Sequence, residues 1–283
     1  MQGEGASRQG KNAAACAISP ARMSDFGIDV ERDGAGVAWI SLRNRARLNA
    51  IRLEMWQTLP GMVRALDADP EVRVLVLRGA GEEAFASGAD ISEFATRRGD
   101  AASAASYEAV TAGAFEALLG VAKPHVAMVH GVCIGGGLAV AACADLRVAA
   151  ADARFAVPAA RLGLGYHQRG IERLVGLLGP SVTAELFFTA GQYDAEEALR
   201  VGLVNRVVPK ADLLAFTERY VADIAANAPL TLRAAKRAIA ESQRPDADRA
   251  AVARLIAACF ESADYAEGVR AFLEKRRPRF RGV

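Results

Sequence analysis

Strand-like segments at 28–32 and 37–42 flank Asp33, Gly34, Ala35 and Gly36, a spacing that predicts a β-hairpin with a glycine-rich connection. Past Asn49, the positions Leu53, Met55, Trp56, Leu59, Met62, Val63 and Leu66 recur at helical spacing. Pro60 and Gly61 fall inside that stretch and predict a bend. The β-branched run at 72–77, bounded by Pro70 and by Gly79, Ala80 and Gly81, predicts a buried strand. The pattern then repeats. A helical stretch at 101–119 closes on Gly120, a strand at 125–129 follows Lys123 and Pro124, and a small-residue helix at 138–142 precedes a strand at 146–148. Strand–loop–helix units in series predict a layered α/β domain. From Ser181 onward the periodicity is helical almost throughout, at 184–188, 195–201, 211–226, 230–241, 247–260 and 262–275. We therefore expect a core over 25–210 and a helical docking or oligomerisation region over 211–283. Residues 1–24 are rich in Gly, Ala, Ser and Gln without periodicity and read as a flexible extension; the apolar run at 13–18 is too short for a signal-peptide core.

The charge balance narrows the function. Thirty-five basic and 33 acidic side chains leave a net charge of +2, which argues against a nucleic-acid partner held by a large positive field. No run of eighteen uninterrupted apolar residues exists, so no membrane span is expected. Cys16, Cys133, Cys143 and Cys259 form no C-x-x-C pair; Cys133 and Cys143 lie in apolar company and read as small buried hydrophobes. A reducing cytoplasm is the expected setting. His125 and His130, five apart on a strand, point to opposite faces, so no metal site is expected.

Two loops carry candidate chemistry. Ser87, Gly88, Ala89 and Asp90, and later Gly135, Gly136 and Gly137, each follow a strand and open a helix. Each therefore presents unpaired N–H groups at a positive helix end, with side chains small enough for a carbonyl to approach. Two such donors on one oxygen form an oxyanion hole, worth about 3–4 kcal/mol per donor in a transition state. Taken singly, either glycine cluster serves equally well as a tight turn. Neither is a phosphate loop, since no Gly-Lys-Ser/Thr and no G-x-G-x-x-G is present.

In this order the loops resemble those of the crotonase (enoyl-CoA hydratase/isomerase) superfamily, over about 28–280. The resemblance is carried by Asn44-Arg45-Ala46-Arg47-Leu48-Asn49-Ala50, Phe85-Ala86-Ser87-Gly88-Ala89-Asp90-Ile91, and His130-Gly131-Val132-Cys133-Ile134-Gly135-Gly136-Gly137. It continues through Ala144-Asp145, Phe187-Phe188-Thr189-Ala190-Gly191, Ala198-Leu199-Arg200-Val201-Gly202-Leu203-Val204-Asn205 and Phe272-Leu273-Glu274-Lys275-Arg276. It implies a spiral of ββα units with a helical C-terminal region, assembled as a trimer or hexamer. It also implies an acyl-CoA substrate with no cofactor beyond the coenzyme A that the substrate carries. By position, the Ala89 and Gly136 N–H groups would hold the thioester oxygen. Arg47, Ala50, Ser87, Asp90 and Ile91 would border the coenzyme A, which Phe272 and Lys275 would reach, often from a neighbouring subunit.

The pattern breaks at the acid–base residues. Hydratases of this type use two glutamates, one just past the glycine triplet and one after a proline about twenty residues on; here those places hold Ala139 and Ala159. Losing one general acid–base group typically removes about 10²–10⁴-fold in rate. Relatives with other chemistry keep a working polar group on the following loop, where this chain has Tyr166, His167 and Arg169. Tyr166 could orient a substrate carboxylate or a water, and His167 offers an imidazole, the side chain that titrates nearest neutrality. The equally weighted alternative makes Tyr166 wall packing and His167 a solvent-facing residue. Asp90 is expected to serve loop geometry, His125 and His130 to be structural, and Glu116 and Glu172 to be surface or intersubunit residues. The sequence thus points to an enoyl-CoA hydratase-like lyase working through a thioester enolate. Decarboxylation of a malonyl- or methylmalonyl-type CoA and a non-catalytic acyl-CoA-binding protein stand as the alternatives.

Overall fold

The structure, a computed structural model, describes residues 25–97 and 99–283, with the Ala95 side chain outside that description. The extension expected over 1–24 lies outside the described residues. The hairpin forms as expected, with β1 (Gly27–Arg32) antiparallel to β2 (Val37–Arg43) and Val30 opposite Ile40. Asp33 sets the turn by accepting hydrogen bonds from the N–H groups of Ala35 (2.8 Å) and Val37 (3.1 Å). Helix α1 (Leu53–Ala68) runs through Pro60 and Gly61 as one helix and buries Met55, Trp56, Leu59, Val63 and Leu66.

The next elements come in sets of two strands followed by a helix, the first set with two helices. Strands β3 (Val74–Gly79) and β4 (Ala84–Ala86) precede α2 (Phe94–Arg97) and α3 (Ala101–Leu119). Strands β5 (His125–Val129) and β6 (Val132–Ile134) precede α4 (Gly136–Cys143). Strands β7 (Leu146–Ala150) and β8 (Arg154–Ala156) precede α5 (Gln168–Phe188). The first strand of each set joins one sheet and the second joins another. Among the described residues the sheet orders are β1-β2-β3-β5-β7-β10 and β4-β6-β8-β9, where β9 is Gln192–Asp194 and β10 is Arg206–Val208, separated by α6 (Ala195–Arg200). This is the expected spiral of ββα units. The three-residue strands of the second sheet have no sequence signal of their own, because they are too short to show alternation.

Alternation in the first sheet sorts its faces. Leu75 and Leu77 enter the main core with α1, α3 and α4, while Val74 and Val76 face a second cluster closed by Leu213, Val221 and Ala225 of α7 (Leu213–Ala225). Helices α8 (Pro229–Ser242), α9 (Arg249–Phe260) and α10 (Ala263–Leu273) complete the expected C-terminal region. It is tied to the core where Lys236 Nζ meets Asp145 Oδ2 (2.8 Å), His125 Nδ1 (2.9 Å) and the Lys123 carbonyl (2.8 Å). His125 thus has a structural role, as expected. Phe260, Phe272 and Leu273 remain exposed on these helices. Cys133 and Cys143 are buried, and burial pushes the Cys143 thiol up to about 12. Among the described residues no helix is long and apolar enough to cross a membrane.

Candidate active site

The two glycine loops meet. A methyl built on Gly136 would lie 3.4 Å from Ala89 N, and one built on Gly88 would lie 3.6 Å from Gly136 N. Gly88 (φ +111°) and Gly135 (φ +53°) occupy backbone conformations that side chains resist, which accounts for glycine at both places. Gly137 packs against the backbone of Ala86 so tightly that any side chain would collide. The loops are thereby forced into contact.

Neither the Ala89 N–H nor the Gly136 N–H donates to a protein acceptor among the described residues. Each belongs to a peptide whose carbonyl end is held. The Gly88 carbonyl accepts from Ile51 N–H (2.7 Å). The Gly135 carbonyl accepts from Ala139 N–H (3.0 Å) and from the Tyr166 hydroxyl (3.0 Å). Because N–H and C=O are antiparallel across a trans peptide, holding the oxygen fixes the direction of the N–H at the other end. Two oriented, unpaired donors are therefore presented side by side.

They open on a cleft with a cavity volume of about 120 Å³. Trp56, Phe94, Tyr107 and Phe115 give it aromatic walls, and Pro158, Ala159 and Leu162 close another side. Tyr166 and His167 also line it, as expected from the sequence. Their roles differ, however. The Tyr166 hydroxyl is spent on Gly135, its ring stands edge-on to Phe187 at 4.9 Å, and burial raises its pKa, so it stays protonated and holds a peptide. His167 caps α5 by accepting from Arg169 N–H at Nδ1 (3.1 Å), which leaves the neutral ring its proton on Nε2. Its ring lies 5.4 Å from that of Phe115. The loop from which both come is half helix, since α5 begins at Gln168.

Ala159 lines the cleft, whereas Ala139 is 2% exposed inside α4 and contributes its backbone to the site. Sequence reasoning missed Glu108, a carboxylate that faces the cleft from α3. Glu108, Thr111 and Phe115 share one face of α3 at i, i+3 and i+7, and that periodicity is the signal that could have found it.

The residues expected to border coenzyme A lie together at one edge. Ser87 N–H donates to the Leu48 carbonyl (2.9 Å), Ser87 Oγ to the Arg47 carbonyl (2.9 Å), and Asp90 N–H to the Ile51 carbonyl (3.0 Å). Arg47, Ala50, Ser87, Asp90 and Ile91 thus sit on two segments stitched together beside the Ala89 amide. Asp90 serves loop geometry as expected, its Oδ1 accepting from Ser92 N–H (3.1 Å) and Ser92 Oγ (2.6 Å). Burial alone would raise the Asp90 pKa; the Ser92 hydrogen bonds and the Arg47 and Arg52 charges outweigh it and hold the carboxylate below its ordinary range. Phe272, 83% exposed, and Lys275 are not brought to this cleft by their own chain. Glu116 is exposed as expected and pairs with Arg169 (2.7 Å), which also holds Glu172 (3.0 Å).

Residues 32–283 match the sequence profile described as Enoyl-CoA hydratase/isomerase. A crotonyl-CoA hydratase of Syntrophomonas wolfei is 35% identical over 235 residues, covering 82% of this chain and 90% of that one. A carnitinyl-CoA dehydratase of Salmonella typhi is 36% identical over 220 residues, covering 76% of this chain and 83% of the other. The crystal structure of an enoyl-CoA hydratase/carnithine racemase from Magnetospirillum magneticum superposes with a TM-score of 0.87 at 35% identity, over 90% of this chain and 96% of that chain.

Proposed function

Because the chain belongs to the enoyl-CoA hydratase/isomerase family, we propose that it seats an acyl-CoA thioester oxygen between the Ala89 and Gly136 N–H groups and stabilises the enolate formed there. The observation that carries this reading is the pair of unpaired amides on peptides pinned at their carbonyl ends. Coenzyme A runs along the Arg47–Ala50 and Ser87–Ile91 edge, where the Arg47 guanidinium meets its phosphates. Phe272 and Lys275 approach from a second subunit of a trimer or hexamer, and the exposed Phe260, Phe272 and Leu273 supply apolar surface for that assembly.

The reaction is addition or removal of water next to the thioester, the type for which the crotonyl-CoA and carnitinyl-CoA relatives are named, which makes the enzyme a lyase. Ala139 and Ala159 cannot move a proton, so the two-glutamate route is closed. Glu108 and His167 are the side chains at the cleft whose chemistry allows proton transfer. Decarboxylation of a malonyl-type CoA is the second reading, favoured by the two alanines, because loss of CO₂ creates the enolate without a base.

The deciding experiment incubates purified protein with crotonyl-CoA and with methylmalonyl-CoA, following the enoyl absorbance and CO₂ release. Hydration that drops about 10²-fold or more in His167→Ala or Glu108→Gln supports the first reading. CO₂ release without hydration replaces it with the second. Tight acyl-CoA binding with no turnover of either substrate makes the chain a binding protein and removes the enzyme assignment.

A further inference from the structure

On the acyl-CoA reading above, on which this rests, we propose that Glu93 is a positioning residue for the oxyanion site. Its buried carboxylate latches the loop that carries the Ala89 amide onto the head of α1 and so fixes the aim of that N–H. Both peptides flanking Ala89 are bonded to one residue. Ile51 N–H donates to the Gly88 carbonyl (2.7 Å) and Asp90 N–H donates to the Ile51 carbonyl (3.0 Å), which makes Ile51 and Ala89 a one-residue parallel bridge. In such a bridge the bracketed residue turns its own N–H to the opposite side, here away from Ile51. The direction of the Ala89 amide is therefore only as well defined as the position of Ile51.

Glu93 holds the residues that follow Ile51. Arg52, which precedes α1, offers the helix no side-chain cap, and the first N–H groups of a helix have no acceptor of their own. Glu93 Oε2 accepts from Leu53 N–H (2.9 Å), while Oε1 accepts from Arg52 Nε (2.8 Å). The Glu93 side chain is 8% exposed, so both bonds go to a charge shielded from water at the positive end of a sixteen-residue helix. The Arg52 guanidinium is held in turn over the Phe26 ring, 4.0 Å from its centroid. On its other side Glu93 ends the 3-10 turn Ile91–Glu93, which Asp90 caps by accepting from Ser92 N–H. The stretch 88–93 is thus tied to 51–53 at both ends, with Ala89 inside the closed ring. Ile91 and Phe94 line the cleft and Glu93 does not, so Glu93 acts on a substrate only through the backbone it holds.

The test uses the full-length protein with Glu93→Ala, which deletes the latch, and Glu93→Gln, which keeps one oxygen and loses the charge. The absorbance shift of crotonyl-CoA on binding should weaken in Glu93→Ala. Its kcat, on whichever of crotonyl-CoA and methylmalonyl-CoA is turned over, should fall about 10- to 100-fold, the cost of a displaced donor, with KM changed less. Glu93→Gln should lie between that variant and wild type, roughly threefold or more below wild type in kcat. A readout without ligand is hydrogen–deuterium exchange resolved to single residues. The Ile51 and Asp90 amides should exchange at least about tenfold faster in Glu93→Ala, in addition to the Leu53 amide that simply loses its acceptor. A merely structural glutamate would lower the urea midpoint and leave kcat, the thioester spectrum and those two amides as in wild type, and that result overturns the proposal. Should Glu93→Ala fail to fold, Glu93→Gln carries the same three comparisons, and wild-type values in all of them overturn it equally. Wild-type protein that neither binds nor polarises crotonyl-CoA instead removes the acyl-CoA reading, and this proposal falls with it even where the Ile51 and Asp90 amides still respond to Glu93→Ala.

Discussion

Tyr166→Phe separates two roles that a cleft tyrosine can play. The substitution deletes one oxygen and leaves the ring that meets Phe187 at 4.9 Å. The Gly135 carbonyl loses the hydroxyl at 3.0 Å but keeps Ala139 N–H at 3.0 Å, so no buried acceptor is left bare. The loss is one neutral hydrogen bond, about 0.5–1.5 kcal/mol net. If all of it is felt where the Gly136 N–H meets the developing anion, kcat falls by about 2- to 13-fold. KM should change less, since a ground-state carbonyl carries less charge than the enolate. A tyrosine that moved the proton would instead cost about 10²–10⁴-fold and would remove one limb of the pH profile. The assay is steady-state turnover of crotonyl-CoA across the neutral range, together with the absorbance of bound enoyl thioester, which reports how strongly the carbonyl is polarised. We expect a modest fall in kcat, an unchanged pH profile and a weaker spectral shift on binding. A loss beyond about 100-fold with an altered pH limb, or a variant equal to wild type in both rate and spectrum, would refute the pinned-peptide account.

Three further perturbations follow from the same geometry. In Gly136→Ala the new methyl would stand 3.2 Å from Trp56 Cζ2 and 3.4 Å from Ala89 N, so turnover should fall about 10²-fold while the fold survives; unimpaired turnover would mean that the thioester oxygen sits elsewhere. Asn49, 1% exposed at φ +56°, accepts from Asn44 N–H (3.1 Å) and donates to the carbonyls of Ala80 (2.9 Å) and Ala84 (2.7 Å). Asn49→Ala should cost about 3 kcal/mol in urea unfolding, one per bond, and Asn49→Gly should recover only the backbone strain; a change within the error of the titration would contradict this. Acid should destabilise the fold in two stages. Burial, with help from Lys236, outweighs Asp145 and lowers the His125 pKa, so the unfolded chain takes up more protons and stability falls as pH drops below about 6.5. Burial alone would raise the Asp145 pKa, but hydrogen bonding from His125 and the Lys236 ammonium hold it well down, adding a further loss below about pH 4. A urea midpoint that stays flat from neutrality into this range would show that neither group is linked to folding.

What could be read from the sequence was whatever shows within a few residues. The hairpin at Asp33, the helix at 101–119 with Gly120 behind it, and the two glycine loops all stood where local pattern put them. The four short strands of the second sheet escaped, because three residues cannot display a period. So did the first half of α5, where Gly170, Gly176 and Gly179 dilute the helical signal; Gly179 takes φ +75° ahead of Pro180, turning the element before Phe188 ends it. Pro60 and Gly61 predicted an interruption, but α1 is one helix across them, with Leu59 and Val63 buried on either side. The site was half legible. Ala89 and Gly136 announce themselves by the small residues around them, whereas the Tyr166 hydroxyl reaches a carbonyl 31 residues away and Glu108 reaches the cleft from a helix whose apolar face is weakly marked. Contacts of that kind are tertiary and leave no local trace.

The division between backbone and side chain also explains how this site can lack both glutamates and still serve as the oxyanion site we propose. Ala139 contributes its N–H to the Gly135 carbonyl, and any residue but proline would supply the same group, so the methyl of Ala139 is irrelevant to the direction of the Gly136 N–H. The donors therefore hold their aim whatever acid or base stands at position 139 or 159. Their orientation depends on Ile51, on the first turn of α4 and on the Tyr166 hydroxyl. In the proposed reaction, enolate stabilisation and proton transfer are in this way mechanically separate: the first would be fixed by main-chain geometry, while the second could pass to Glu108 or His167 on other walls of the same cleft without disturbing it.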